Sequence, residues 1–253
     1  MGEKKVGDVA TKSPRRVRTC KKKSIVDFHV NETTKSDAGR PADYSFQRCK
    51  ELRETGPEFA NTSRLGKVER DANNKYLTKA LWLNNNYIKH INNIDLMVNS
   101  VMAFPERLAY LDLSNNNIVG IDDDLFKFPN ISVLYLHFNK LKNLGDILKL
   151  RQLKKLHNLT IFGNPICEDR SLGNLRAIIC QLIPQLKKLD HNGITKLERE
   201  TPISPYAVKF LESWSKDRRK EDASKRGMDH HRQAMDHPKM CRPLCNCSCS
   251  CNI

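Results

Sequence analysis

Sulfur and imidazole crowd one end of this chain: His230, His231, His237, Cys241, Cys245, Cys247, Cys249 and Cys251 all fall within residues 230–253. Alternating thiolates suit a soft ion such as zinc or copper(I), which makes Cys241, Cys245, Cys247, Cys249 and Cys251 the metal-ligand candidates. No C-x-x-C pair occurs among them, so the spacing does not describe a zinc knuckle. Clustered thiols beside basic residues also accept palmitate, and a tail without a defined role is the third reading. The run Asp122, Asp123, Asp124 is the other arrangement with chemical potential. It stands directly before Leu125 and Phe126, where acidic side chains cap the first turn of the convex segment that follows. His90, His137, His157 and His191 have no Cys or Ser partner at a recognisable spacing. No Gly-rich phosphate loop, zinc-protease helix or nucleophile elbow is present. The expectation is a protein that is not an enzyme and needs no cofactor and no small-molecule substrate.

The formal charge is +15, and most of it sits at the ends. Residues 1–40 carry eleven Lys/Arg against five Asp/Glu, and residues 215–253 carry nine against five. Basic, aromatic-poor ends bury too little apolar surface to fold alone and attract acidic polymers of any kind. Residues 1–40 and 215–253 therefore read as disordered tails. Residues 1–23 are studded with Lys and Arg and hold no apolar run, and no stretch reaches the length of a membrane span. A monomeric, cytoplasmic chain without a transmembrane segment is expected, with its body cysteines as free thiols.

The elements that must carry any site emerge from internal repetition. The template L-x-x-L-x-L-x-x-N-x-L fits four windows: Thr78-Leu81-Leu83-Asn86-Ile88, Leu108-Leu111-Leu113-Asn116-Ile118, Ile131-Leu134-Leu136-Asn139-Leu141 and Leu156-Leu159-Ile161-Asn164-Ile166. Each L-x-L core is a short strand with both Leu side chains pointing inward, because strand side chains alternate with period two. The Asn marks the bend off the strand, where its amide serves backbone groups of its own coil and a neighbour. Ile94, Met97, Val98, Val101 and Met102 fall at helical spacing and predict a full helix on the convex side.

This describes an α/β leucine-rich-repeat solenoid, right-handed, with a parallel concave sheet and short helices or 3-10 turns behind it. Residues 41–76 form an N-terminal flank, 77–166 the four repeats and 167–214 a helical C-terminal cap, since an open end coil exposes its core. The cap holds an amphipathic segment, Leu172 to Ile183, then Pro184-Gln-Leu186-Lys-Lys-Leu189-Asp190 and Thr195-Lys-Leu-Glu198-Arg199. A last helix, Tyr206 to Trp214, packs behind it with Val208, Phe210, Leu211 and Trp214.

At these residues the sequence resembles the cytoplasmic, phosphatase-regulator-type leucine-rich-repeat proteins, whose cap reads P-x-L-x-x-L-D…T-x-x-E-R. A similar cap occurs in the A-prime protein of the U2 spliceosomal particle and in an axonemal dynein light chain. Asp43-Tyr-Ser-Phe46, Leu81-Trp-Leu-Asn-Asn-Asn86, Leu111-Asp-Leu-Ser114, Ser132-Val-Leu-Tyr-Leu-His137 and Leu159-Thr-Ile-Phe-Gly-Asn-Pro165 are similar to the leucine-rich repeat-containing protein 51 family. The likeness covers about residues 41–214 and implies a cytoplasmic protein without enzymatic activity. The basic extension before residue 40 and the Cys-rich tail after residue 240 have no counterpart in it.

Outward strand positions of adjacent repeats align in columns on the concave face: Ala80, Tyr110, Val133, Asn158; then Trp82, Asp112, Tyr135, Thr160; then Asn84, Ser114, His137, Phe162. Phe138 and Asn115 lie at the rim. Aromatics dominate interface energy, so Trp82, Asn84, Tyr110, Asp112, Ser114, Val133, Tyr135, His137, Phe138, Thr160 and Phe162 are the candidate partner-binding residues. Packing of some of these aromatics against the N-terminal flank, through Tyr44 and Phe46, is the structural alternative. The expected function is an adaptor or assembly subunit holding a protein partner. The alternatives are a nucleic-acid-associated ribonucleoprotein subunit with basic tails on phosphate, or a ciliary or microtubule-associated scaffold.

Overall fold

In the computed structural model, which describes residues 38–54, 60 and 68–216, short strands stack in chain order into one seven-stranded sheet. Strands β1 (Ala42–Asp43), β2 (Ala80–Trp82), β3 (Tyr110–Asp112), β4 (Val133–Tyr135), β5 (Asn158–Thr160) and β6 (Lys188–Leu189) run parallel, and β7 (Asn192–Gly193) turns back antiparallel on β6. The register places Leu81, Leu111, Leu134, Leu159 and Leu189 side by side. All are fully buried, as are Leu83, Leu113 and Leu136 in the next inward column. Each such side chain removed from water stabilises the stack by about 2 kcal/mol, and the column continues from coil to coil as a solenoid requires.

Two of the parallel strands, β1 and β6, lie outside the four template windows, as does the antiparallel β7. In β1 the inward positions are Ala42 and Tyr44, both fully buried in the core. Tyr44 thus acts as an inward residue of an additional coil and does not pack on the concave aromatics. Strand β6 comes from the Leu186-x-x-Leu189 half of the cap, so the cap adds a strand as well as helices. On the convex side, α1 (Ile94–Val101) buries Ile94, Met97, Val98 and Val101 at the expected spacing. Shorter closures follow: a 3-10 turn at Asp123–Lys127 and the helix α2 (Leu144–Lys149), whose Asn143 side chain accepts from Gly145 N at 2.8 Å.

The template asparagines form a continuous ladder. Asn116 Nδ2 donates to the Leu83 carbonyl of the coil before it at 2.9 Å and to its own Leu113 carbonyl at 3.1 Å, while its Oδ1 accepts from Ile88 N at 3.1 Å. Asn139 and Asn164 repeat the pattern on Leu113 and Leu136, accepting from Ile118 N and Leu141 N. Asn86 extends it to the Tyr44 carbonyl and Cys49 N. One amide therefore satisfies strand-exit groups of two adjacent coils that water does not reach.

The acidic run is structural, but it serves a different coil from the one expected. Asp122 makes no side-chain capping bond to its own turn. Its Oδ2 accepts from Ile91 N, and Asp124 Oδ2 from Asn93 N, each at 2.8 Å. These are backbone donors at the entrance of α1 in the preceding coil. Lys127 then bridges Asp124 at 2.7 Å and Asp95 at 2.6 Å, and the Asp124 carboxyl is held below its ordinary range first by Lys127 and then by Asn93 N.

The cap is closed by polar chemistry. Helix α3 (Leu175–Leu182) presents Arg176, which donates to Glu198, to the Leu189 carbonyl at 2.8 Å and to the Gly193 carbonyl at 3.2 Å. Glu198 also completes a capping box with Thr195 at the start of α4 (Lys196–Glu200), and Arg199 donates to the Cys180 and Leu186 carbonyls. The T-x-x-E-R signature is thus a capping box followed by a carbonyl clamp. Helix α5 (residues 205–216) packs behind, with Phe210, Leu211 and Trp214 against the core. Val208 faces solvent, and Ala207 takes the fully buried position expected for it, because Ala207 faces the core at this register of the helix.

Glu198 gives the cap a pH signature. The Arg176 guanidinium, then Thr195, lower its carboxyl from 4.5 to about 2. A depressed carboxylate contributes stability above its ordinary value and loses it as pH falls through the depressed one. The stability difference between the native chain and Glu198→Gln is expected to be constant above pH 5 and to vanish between about 4.5 and about 2. Thermal melts across that range, read for both chains, check it.

Candidate functional site

The concave face is where structure and sequence part. The columns align as expected: the paired residues Ala80, Tyr110, Val133 and Asn158 form one row, and Trp82, Asp112, Tyr135 and Thr160 the next, with Asp43 joining the second row beside Trp82. The expected openness does not hold. Trp82, Tyr110, Asp112, Ser114, Val133, Tyr135, His137 and Thr160 are all buried, and Asn84 and Phe162 are half-buried. Phe138 alone of the candidate set is exposed, at 52%. Ala38, Ala80, Trp82, Tyr110, Val133 and Tyr135 pack as a second hydrophobic cluster, separate from the solenoid interior. Tyr110, Asp112, Tyr135, His137 and Asn158 are each engaged beyond the contacts named below.

Toward the cap the face becomes an aromatic and imidazole cluster. Tyr110 meets Tyr135 edge-on at 5.4 Å between ring centroids. His137 stacks on Phe162 at 4.6 Å and 7°, and its Nδ1 lies 2.8 Å from Thr160 Oγ1. Phe138 meets Phe162 edge-on at 5.1 Å. His191 stands among Tyr135, His137 and Phe162 at 5.4 to 6.1 Å. Each such contact adds about 0.5–1.5 kcal/mol beyond burial. His137 is therefore a fixed, stacked ring rather than a free contact residue.

His191 was not in the expected set. Left-handed backbone at Asp190 and His191, φ 50° and 65°, swings its ring to the concave side. Asp190 supports that turn, since its Oδ1 accepts from Ile161 N at 2.7 Å and Phe162 N at 3.1 Å. The signal available in the sequence was the L-x-x-L-D element itself, whose Asp takes a backbone-binding role at the end of the Asn ladder.

At the opposite end the face is acidic. Asp112 and Asp43 flank Trp82, and each uses one carboxylate oxygen to accept from the backbone N and hydroxyl of the serine two residues on, Ser114 and Ser45, at 2.9 and 2.6 Å. Among the described residues the buried Trp82 indole N–H has no acceptor.

The rim carries strain. Phe46, Asn85, Asn115, Phe138 and Gly163 occupy the same position in successive coils, all with positive φ. The first four donate their N–H to the carbonyls of Asn84, Ser114, His137 and Phe162 in the next coil, so the ladder imposes the left-handed turn. Asn and Gly tolerate it, whereas a phenylalanine there is strained. Phe46, φ 60°, and Phe138, φ 54°, are such residues, and Gly163 leaves the room the Phe138 ring fills: a Cβ on Gly163 falls 2.7 Å from Phe138 Cε1. Strain retained at an exposed aromatic marks a functional candidate.

Among the described residues no group of three or more His, Cys, Asp or Glu side chains is placed to hold a metal, and no helix is long and apolar enough to cross a membrane. Cys241, Cys245, Cys247, Cys249 and Cys251 lie outside the described residues.

Residues 92–217 match the family model described as leucine-rich repeat. The chain is 38% identical over 161 residues to leucine-rich repeat-containing protein 51 of Rattus norvegicus, covering 64% of this chain and 82% of that one. It is 30% identical over 162 residues to the U2 small nuclear ribonucleoprotein A' of Saccharomyces cerevisiae, covering 64% and 62%. Among solved structures, the Drosophila melanogaster SNF/U2A' complex superposes with a TM-score of 0.42 at 26% identity, over 57% of this chain and 75% of that one.

Proposed function

Because the chain belongs to the leucine-rich repeat-containing protein 51 family, we propose that it is a non-enzymatic, monomeric adaptor or assembly subunit that holds a protein partner on the concave side of its solenoid, in the cytoplasm. The observation that supports this most is Phe138, an exposed aromatic kept in a left-handed backbone beside the stacked His137–Phe162 pair. Exposed aromatic anchors flanked by packed neighbours are what interface hot spots are made of. The buried indole N–H of Trp82 fits the same reading, since a partner carbonyl reaching it supplies the missing acceptor.

The test is partner retention by the intact chain against Phe138→Ala and Phe162→Ala, with binding measured on the partner so identified. Loss of one hot-spot ring costs about 2 kcal/mol, or roughly 30-fold in Kd. Equal retention by the variants moves the binding surface off this rim. A second reading follows from the yeast relative, which is by name a ribonucleoprotein subunit: with a charge of +15, the basic ends would lie on RNA phosphates. That reading expects binding that collapses between low and moderate salt, whereas an aromatic protein interface is far less sensitive.

A further inference from the structure

Away from the concave side, a groove of about 630 Å³ opens between the strand exits of the first coils and the entrance of α1. One wall is built by the Asn ladder. Asn86 Oδ1 accepts from Cys49 N at 3.1 Å and Tyr87 N donates to the Cys49 carbonyl at 2.8 Å, as Asn116 and Asn117 do to Ile88 in the next coil. This register sets Lys50 and Lys89 at the same position of adjacent coils, about 4.8 Å apart along the backbone. Tyr87 stands two residues before Lys89, and the buried Ile88 between them turns both side chains outward. The other wall is the 3-10 turn Leu52–Glu54, where Arg53 Nη2 donates to Asn93 Oδ1 at 3.0 Å and is held in the groove.

Three cations, Lys50, Arg53 and Lys89, thus meet one carboxylate, Glu51, in the same groove. Like charges at matching positions of neighbouring strands repel. Lys127, Lys149 and Arg176, elsewhere in the solenoid, are all paired with carboxylates, whereas among the described residues Lys50 and Lys89 form no ion pair. A recess lined by one sign of charge concentrates the field on a counter-ion, and a guanidinium fork matches the oxygens of a phosphate. The groove is larger than one phosphate needs and lies within the range of about 300–1,000 Å³ that small organic ligands occupy. Its remaining lining supplies the rest of such a ligand's contacts. The Tyr87 ring is 52% exposed, and the Asn117 amide beside it can both donate and accept.

We propose that this groove binds a nucleoside monophosphate, with the phosphate on Lys50, Lys89 and Arg53, the base against the Tyr87 ring and the Asn117 amide at the base edge. A base offers a flat face for stacking and donors and acceptors on its edge; a phosphoserine side chain offers neither, so the aromatic and amide half of the groove favours the nucleotide. The same chemistry is presented by a free nucleotide and by one residue of a single-stranded RNA. The site is separate from the Phe138 rim and requires no partner there.

The test is calorimetric titration of the full-length chain with AMP, GMP, CMP and UMP at physiological salt. At least one nucleotide is expected to bind about tenfold or more tighter than inorganic phosphate or ribose 5-phosphate. Tyr87→Ala is expected to weaken it about tenfold, Tyr87→Phe to retain it, and Lys50→Glu/Lys89→Glu to abolish it, with the melting temperature kept because all three side chains are exposed. Tighter binding of a short oligoribonucleotide that is lost in the double variant makes RNA the source, and equal affinities make it the free nucleotide. The proposal is overturned by an absence of nucleotide binding at millimolar concentration, by inorganic phosphate binding as tightly as the nucleotides, or by a Tyr87→Ala chain as tight as the native one. Preference for a phosphoserine peptide over every nucleotide also overturns it, and makes the groove a docking point for a phosphorylated protein. None of these outcomes bears on partner retention at Phe138, which keeps its own test.

Discussion

Asn116→Ala is expected to destabilise the solenoid by about 3 kcal/mol, lowering the melting temperature by roughly 10 °C. The side chain is 5% exposed, so what it leaves behind stays away from water. Removal orphans Ile88 N and withdraws a donor from the Leu83, Leu113 and Ser114 carbonyls. Each buried unsatisfied group costs about 1–3 kcal/mol, with carbonyls at the low end because they accept elsewhere. Two coils lose their coupling together, and in a stack held by nearest-neighbour contacts that loss divides the molecule. Asn116→Asp keeps the acceptor for Ile88 N but sets a carboxylate against three carbonyl oxygens, and is expected to be no better than alanine. Asn86→Ala is expected to cost less, since the Cys49 N–H it abandons belongs to a half-buried residue. Denaturant melts of the three variants order them.

That ladder was readable in the sequence because it repeats: Leu at the strand and Asn at the bend recur with their spacing intact, and each is explained by one bond pattern. The coils at either end were not. Strand β1 uses Ala42 and Tyr44 where the others use Leu, and β6 is followed by His191 where they carry Leu83, Leu113, Leu136 or Ile161. Both lack the apolar pair that the template detects, though hydrogen bonds to their neighbours still place them in the sheet.

The candidate site shows a sharper limit. Alternation along a strand tells which side a residue faces, and Trp82, Tyr110, Asp112, Tyr135 and Thr160 do face the concave side. It carries no information on how far each of them is buried, which depends on chain with no fixed spacing to the repeat. The rim is intermediate. Its left-handed turn is foreshadowed by Asn85, Asn115 and Gly163, and the exception at Phe138 becomes visible only when the four coils are aligned.

That exception gives the second large effect. Gly163→Ala is expected to cost about 2–3 kcal/mol, because alanine at φ 70° is strained by about 1 kcal/mol and its methyl overlaps the Phe138 ring. Phe138→Asn acts in the opposite direction: asparagine accepts φ 54°, as Asn85 and Asn115 do at the equivalent positions, and stability is expected to rise by about 0.5–1 kcal/mol. In the double variant the overlap is gone, so Gly163→Ala should then cost only its backbone share. A coupling of at least about 1 kcal/mol between the two sites, from denaturant melts of the four chains, follows from the ring filling the space over Gly163. Additive effects would place the ring elsewhere. The decisive reading is on function, since a substitution that stabilises the fold while weakening partner binding roughly 30-fold identifies Phe138 as a residue whose strain is retained for the surface it offers.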